Sequence, residues 1–211
     1  MALLGLNGSG KTTLLRLLSG LSSQTAGSIT IGGWSLPKEA AAVRAQLGVV
    51  AHLPLLYDDL TASENLKFFA QLYNLEQPAT HITALLDRVG LLKQVNELVR
   101  TFSRGMQQRL AIARAMLHNP AVYLLDEPYT GLDVSGAEML DRLLQEWKAA
   151  NRTVIISLHD LPRVEQADQV LILNRGKVVA DLARAEIGDL PALFASLTST
   201  QSPEVNRSEV A

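Results

Sequence analysis

No cysteine occurs in the 211-residue chain, which excludes disulfides, iron–sulfur clusters and thiolate-held zinc and suits a reducing cytoplasm. Histidine is almost as scarce, and His52, His81, His118 and His159 stand too far apart to show the spacing of a metal site. No apolar run approaches the roughly 20 residues that span a bilayer. The opening MALLGLNGSG is too short and too glycine-rich for a signal peptide. Membrane contact is therefore expected only through a partner. The formal net charge is −2, and no basic block with interleaved aromatics is present, so nucleic acid is not an expected partner.

What the chain does have is enough apolar residue, 47%, to bury the core of one generous domain. Short β-type runs alternate with helical patterns, which predicts an α/β fold with a mostly parallel sheet. The strand candidates are Ala2 to Gly5, Leu47 to Val50, Ala121 to Asp126, Arg152 to Ser157 and Asp168 to Leu173. Their near-continuous apolar character suits strands covered on both faces. Gly27 to Gly33 (GSITIGG) alternates with period two and reads as an edge or antiparallel strand. From about residue 60 to 117 strand signals vanish and helical periodicity takes over, with TASE at Thr61 to Glu64 as a capping box. Asn174 to Gly176 (NRG) predicts a hairpin joining DQVLIL to KVVADL. One domain over 1–198, with a helical subdomain at about 60–117, is expected, followed by a polar, disordered tail at 199–211.

GLNGSGKT, Gly5 to Thr12, satisfies the phosphate-loop pattern between an apolar strand and an amphipathic helix. Backbone N–H groups across Asn7, Gly8, Ser9, Gly10, Lys11, Thr12 and Thr13 can turn onto phosphates, and the helix N-terminus adds positive potential. Lys11 reaches the outer phosphates and Thr12 offers a hydroxyl to Mg²⁺. AVYLLDEP ends an apolar strand in two carboxylates, which point in different directions. Asp126 is assigned to the metal and Glu127 to the attacking water as general base.

Order and spacing add a resemblance. FSRGMQQRLAIARAM precedes that strand, TGLD (Thr130 to Asp133) follows it, and ISLHD closes the next strand with His159. The ordered set resembles the ATP-binding cassette ATPases, the nucleotide-binding subunits of ABC transporters, over nearly the whole chain except its polar tail. The resemblance implies a P-loop NTPase core with ATP and Mg²⁺, ATP hydrolysis, and a peripheral place on the cytoplasmic side of the cell membrane. It also implies a membrane permease as partner and a dimer of two copies or of paralogues. Ser103 and Gly105 match the signature that binds the γ-phosphate of the opposite subunit, Asp133 the loop between the two sites, and His159 the switch histidine. Arg104 and Met106 depart from the commoner glycine and glutamine.

A further departure is His52, which stands where the family usually has a glutamine that touches Mg²⁺ and water. His52 followed by LPLLYDDLTASENL is similar to the ATP-binding subunits of the heme exporter of cytochrome c maturation, which implies heme export without a heme site on this chain. Members of the family also carry an antiparallel segment before the phosphate loop, with an aromatic residue that stacks on adenine. Only Met1 to Leu4 precede Gly5, so a truncated segment, weaker adenine binding and an unpartnered GSITIGG strand are expected. The alternatives are a non-transport cassette ATPase, a regulatory nucleotide-binding module and an inactive fragment.

Overall fold

The computed structural model describes residues 1–199, so all of the expected tail except Ser199 lies outside the described residues. Six strands form the central sheet: β1 (Ala2–Leu4), β4 (Leu47–Val50), β5 (Val122–Asp126), β6 (Thr153–Ser157), β7 (Gln169–Asn174) and β8 (Lys177–Ala183). Their order is β4-β5-β6-β1-β7-β8, parallel throughout except for the antiparallel β7–β8 hairpin. All five expected core strands are present, with ends shifted by a residue or so. β1 has all three residues buried and parallel partners on both sides, as its unbroken apolar run requires.

The GSITIGG strand is not unpartnered. Its β2 (Ile29–Ile31) pairs antiparallel with β3 (Trp34–Leu36) in a separate two-stranded sheet. Gly32 and Gly33, at φ 59° and 89°, form the tight turn, a backbone region that glycine enters without steric cost. The third strand residue, Leu36, is buried, and the expectation failed because WSL is too short to show a period.

Helices cover both faces. On one face α1 (Lys11–Leu18) and α2 (Ala40–Ala45) pack with the small sheet around Leu3, Leu15, Leu36, Val43, Leu47 and Leu124. On the other lie α3 (Ala62–Leu72), α4 (Pro78–Arg88), α5 (Arg104–Met116), α6 (Val134–Ala149), α7 (Leu161–Val164) and α8 (Leu190–Thr198), around the larger core. The capping box forms as expected: Thr61 Oγ1 accepts from the Glu64 N–H at 3.2 Å and Glu64 Oε2 from the Thr61 N–H at 2.8 Å. In the helical stretch, α5 packs on β4 as well as on α3 and α4, so it joins the two parts of the fold. Trp147 of α6 stacks on Tyr123 of β5 at 3.8 Å between ring centroids. Among the described residues no helix is long and apolar enough to cross a membrane.

His118, just past α5, stacks on Tyr73 at 3.8 Å. Neither ring nitrogen makes a well-formed hydrogen bond, although the Leu47 backbone is near enough to oppose the effect of burial, which pushes its pKa down to about 4. Below the ordinary value near 6.5 the unfolded chain takes up a proton that the folded chain refuses. Stability is therefore expected to fall as pH drops from 6.5 towards 4, by on the order of 3 kcal/mol in total. Urea melts across this window should show the slope in the wild type and lose it in His118→Phe. An unchanged slope would exclude His118 as its origin.

Candidate active site

The phosphate loop hangs between β1 and α1. Gly10 takes φ 109°, a conformation that an L side chain rarely adopts. Gly5 is required by crowding, because a Cβ there would lie 2.4 Å from Ser9 Oγ and 2.5 Å from the Leu173 carbonyl. Behind the loop, the Gly176 N–H in the β7–β8 turn donates to Ser9 O at 2.9 Å. α1 has no side-chain cap, so its first-turn N–H groups are left for an anion. Lys11 is buried, and its Nζ donates to Gly5 O at 2.7 Å and Leu6 O at 3.3 Å. Burial lowers its pKa, while Glu127 and Asp126 pull it back up. Thr12 and Thr13 are exposed in the same turn.

Asp126 and Glu127 close β5. The buried Ser157 hydroxyl donates to Asp126 Oδ1 at 2.8 Å and accepts the Glu127 N–H at 2.8 Å. One side chain thus fixes both acids. Glu127 takes φ 49°, a left-handed conformation that costs roughly 1 kcal/mol or more for a non-glycine residue, and the Ser157 bond helps to hold it. The turn aims the carboxylate at His159, whose Nε2 donates to Oε1 at 2.5 Å. Burial alone would raise the Glu127 pKa, but His159, Lys11 and His52 outweigh it and hold the carboxyl below its ordinary value.

His52 is exposed and lines, with Gln108, Asp126, Glu127 and Thr130, a depression of about 390 Å³. Lys11, Asp126, Glu127, His159 and His52 are therefore brought together. Ser103, Gly105 and Asp133 are not in that group. They line a second depression of about 520 Å³, none of whose walls comes from the phosphate loop. Ser103 caps α5 by accepting the Met106 N–H at 3.2 Å, and Gly105 is forced by the Gly131 carbonyl, 2.7 Å from where its Cβ would sit. Asp133 caps α6 and accepts from Arg109 Nη2 at 2.6 Å. The departures Arg104 and Met106 line this depression too.

Sequence reasoning missed Ser157, Gln108 and Arg114. A polar residue ending the apolar run RTVIIS was the only signal for Ser157. Gln108, buried in α5, donates to Pro128 O at 2.9 Å. Arg114 donates to Val49 O, Pro54 O and Leu55 O at 2.9, 2.9 and 2.6 Å, which fixes the backbone on either side of His52.

The family model described as ABC transporter matches residues 1–130. The chain belongs to the ABC transporter family. It is 37% identical over 183 residues to the ABC transporter ATP-binding protein NatA of Bacillus subtilis (strain 168), covering 85% of this chain and 74% of that protein. It is 40% identical over 181 residues to the bacitracin transport ATP-binding protein BcrA of Bacillus licheniformis, covering 85% of this chain but 59% of that one. A solved ATP-binding subunit of an ABC transporter superposes with a TM-score of 0.87 at 31% identity, over 94% of this chain and 87% of that chain. A dimeric ATP-binding cassette in a post-hydrolysis state, bound to ADP and Pi, superposes at 0.81 with 26% identity, over 87% and 84%. The fold of this family member is thus that of its ATP-binding subunits, an α/β P-loop ATPase.

Proposed function

We propose that this chain binds and hydrolyses ATP to drive a separate membrane permease of an ABC transporter. The observation that carries the reading is the Glu127–His159 contact at 2.5 Å beside the buried Lys11 and Asp126. In it the loop N–H groups and Lys11 hold the phosphates, Glu127 takes a proton from the attacking water, and His159 keeps Glu127 ionised and aimed. Among the described residues no cluster of three or more His, Asp or Glu side chains could hold a metal by itself. Asp126 and the Thr12 hydroxyl nevertheless fit Mg²⁺, which keeps several waters and takes few protein oxygens. Bound there with ATP, Mg²⁺ would neutralise developing charge on the phosphates.

The separation of Ser103, Gly105 and Asp133 from the phosphate loop favours a dimer, of two copies or with a paralogue, in which these residues meet the nucleotide held by the partner. The dimeric, ADP-bound cassette of similar fold supports this arrangement. For the permease, the exposed Leu53, Leu55 and Tyr57 offer apolar side chains just after His52. Such docking would place the chain at the cytoplasmic face of the membrane. Heme export rests on the His52 stretch alone, and the relatives do not add to it: one described above is named for bacitracin transport.

Purification of the C-terminally tagged chain from gently solubilised membranes tests this reading, with Mg²⁺-dependent ATP turnover measured on what is recovered. A multi-spanning protein in the eluate together with turnover is the expected result. Turnover without a membrane partner would remove the transport assignment, and nucleotide binding without turnover would leave a regulatory module.

A further inference from the structure

We infer that Arg163 is a positioning residue for hydrolysis, holding the segment that carries His159 in register with Glu127. The inference rests on the ATPase reading above. His159 leads into α7, a helix of only four residues with Pro162 in its first turn and no side-chain cap. So short a helix has no stability of its own, and tertiary contacts must set where His159 stands. Arg163 supplies them in three directions. Its Nη1 donates to Asp141 Oδ1 on α6 at 2.5 Å, and its Nε contacts Asp160 Oδ2, next to His159, at 3.2 Å. Its guanidinium also lies 4.0 Å from the centre of the Tyr129 ring.

Tyr129 stands two residues beyond Glu127 and donates its hydroxyl to the same Asp141 oxygen at 2.5 Å. One flat cation thus ties the backbone after Glu127 to the backbone after His159, using geometry that a lysine ammonium cannot reproduce in full. Beside the latch is a depression of about 190 Å³, lined by Leu144, Val154, Ile156 and Leu158 together with Tyr129, Asp141 and Arg163. Val164 is buried in the larger core and Leu161 packs against it, which holds one side of α7, and the polar bridge supplies the second fixed point that sets the segment's orientation.

The test compares ATP turnover of the full chain with that of Arg163→Ala. A drop in kcat of about tenfold to a hundredfold, the scale of a misplacement of about 1 Å, is expected, with KM for ATP within about twofold. Arg163→Lys should recover part of it, and Arg163→Ala should add no further loss in a His159→Ala background. A kcat within about twofold of wild type, or equal losses in the two backgrounds, would overturn the inference. Should Arg163→Ala not fold, Tyr129→Phe deletes a single hydroxyl and carries the same comparison with a smaller loss. A wild type that binds nucleotide without hydrolysing it fails the ATPase reading instead. The latch is then read from the His159 imidazole proton resonances, which must move in Arg163→Ala and, if unmoved, refute it.

Discussion

Glu127→Gln is expected to lower ATP turnover by about 10²- to 10⁴-fold, the range supplied by a positioned general base, while nucleotide affinity stays near that of the wild type. The amide matches the carboxylate in shape, and its oxygen can still accept the His159 N–H that now contacts Oε1 at 2.5 Å. The Glu127 N–H bond to Ser157 is a backbone feature and survives the change. What disappears is the ability to take a proton. Because hydrolysis is blocked after binding, the variant should also accumulate as a dimer in Mg²⁺-ATP. Turnover assays, fluorescent-nucleotide titration and size-exclusion chromatography separate the three effects. Wild-type turnover would remove Glu127 from the role of base, and lost nucleotide binding would show that the residue serves the loop rather than the water.

Among single substitutions, a large effect on stability is expected at Arg114. Its side chain is buried, and burial drives its pKa down to about 10. Three backbone carbonyls and the face of Phe69, 5.1 Å from the guanidinium carbon, take the place of water around the charge. Arg114→Ala removes three charge-assisted bonds and leaves carbonyls unpaired, against which relief of the buried charge is a partial offset. A loss of about 3 kcal/mol is expected, together with release of the Pro54–Leu55 backbone beside His52. Urea denaturation gives the first number, and protease cleavage within 52–57 at native conditions reports the second. Unaltered stability would mean that the three bonds merely balance the cost of burying the cation.

These two residues also mark what the linear order of the chain could show. Glu127 was legible because an apolar strand ending in two acids is a local pattern, as were the phosphate loop, the capping box at Thr61 and the β7–β8 turn. Arg114 was not, because its carbonyl partners lie 59 to 65 residues away. Ser157 meets Asp126 and Glu127 only because β5 and β6 are neighbours in the sheet, although they are separated by the whole of α6. Arg163 and Asp141 need α6 and α7 to lie together. Periodicity speaks of faces and breaks, whereas a side chain that bridges two strands or helices is defined by topology. The short β3 escaped for a simpler reason, since three residues cannot display an alternation.

The position of β1 bears on how nucleotide leaves. Because β1 is buried and paired on both sides, with β6 and β7, its amides can exchange with solvent only when the whole sheet opens, not through fraying. The loop that follows it is anchored to the most persistent part of the molecule. Melting of that anchor is thus as rare as global unfolding, far too rare to serve a catalytic cycle. In the proposed ATPase, spent nucleotide is therefore expected to leave with the phosphate cradle unchanged before and after.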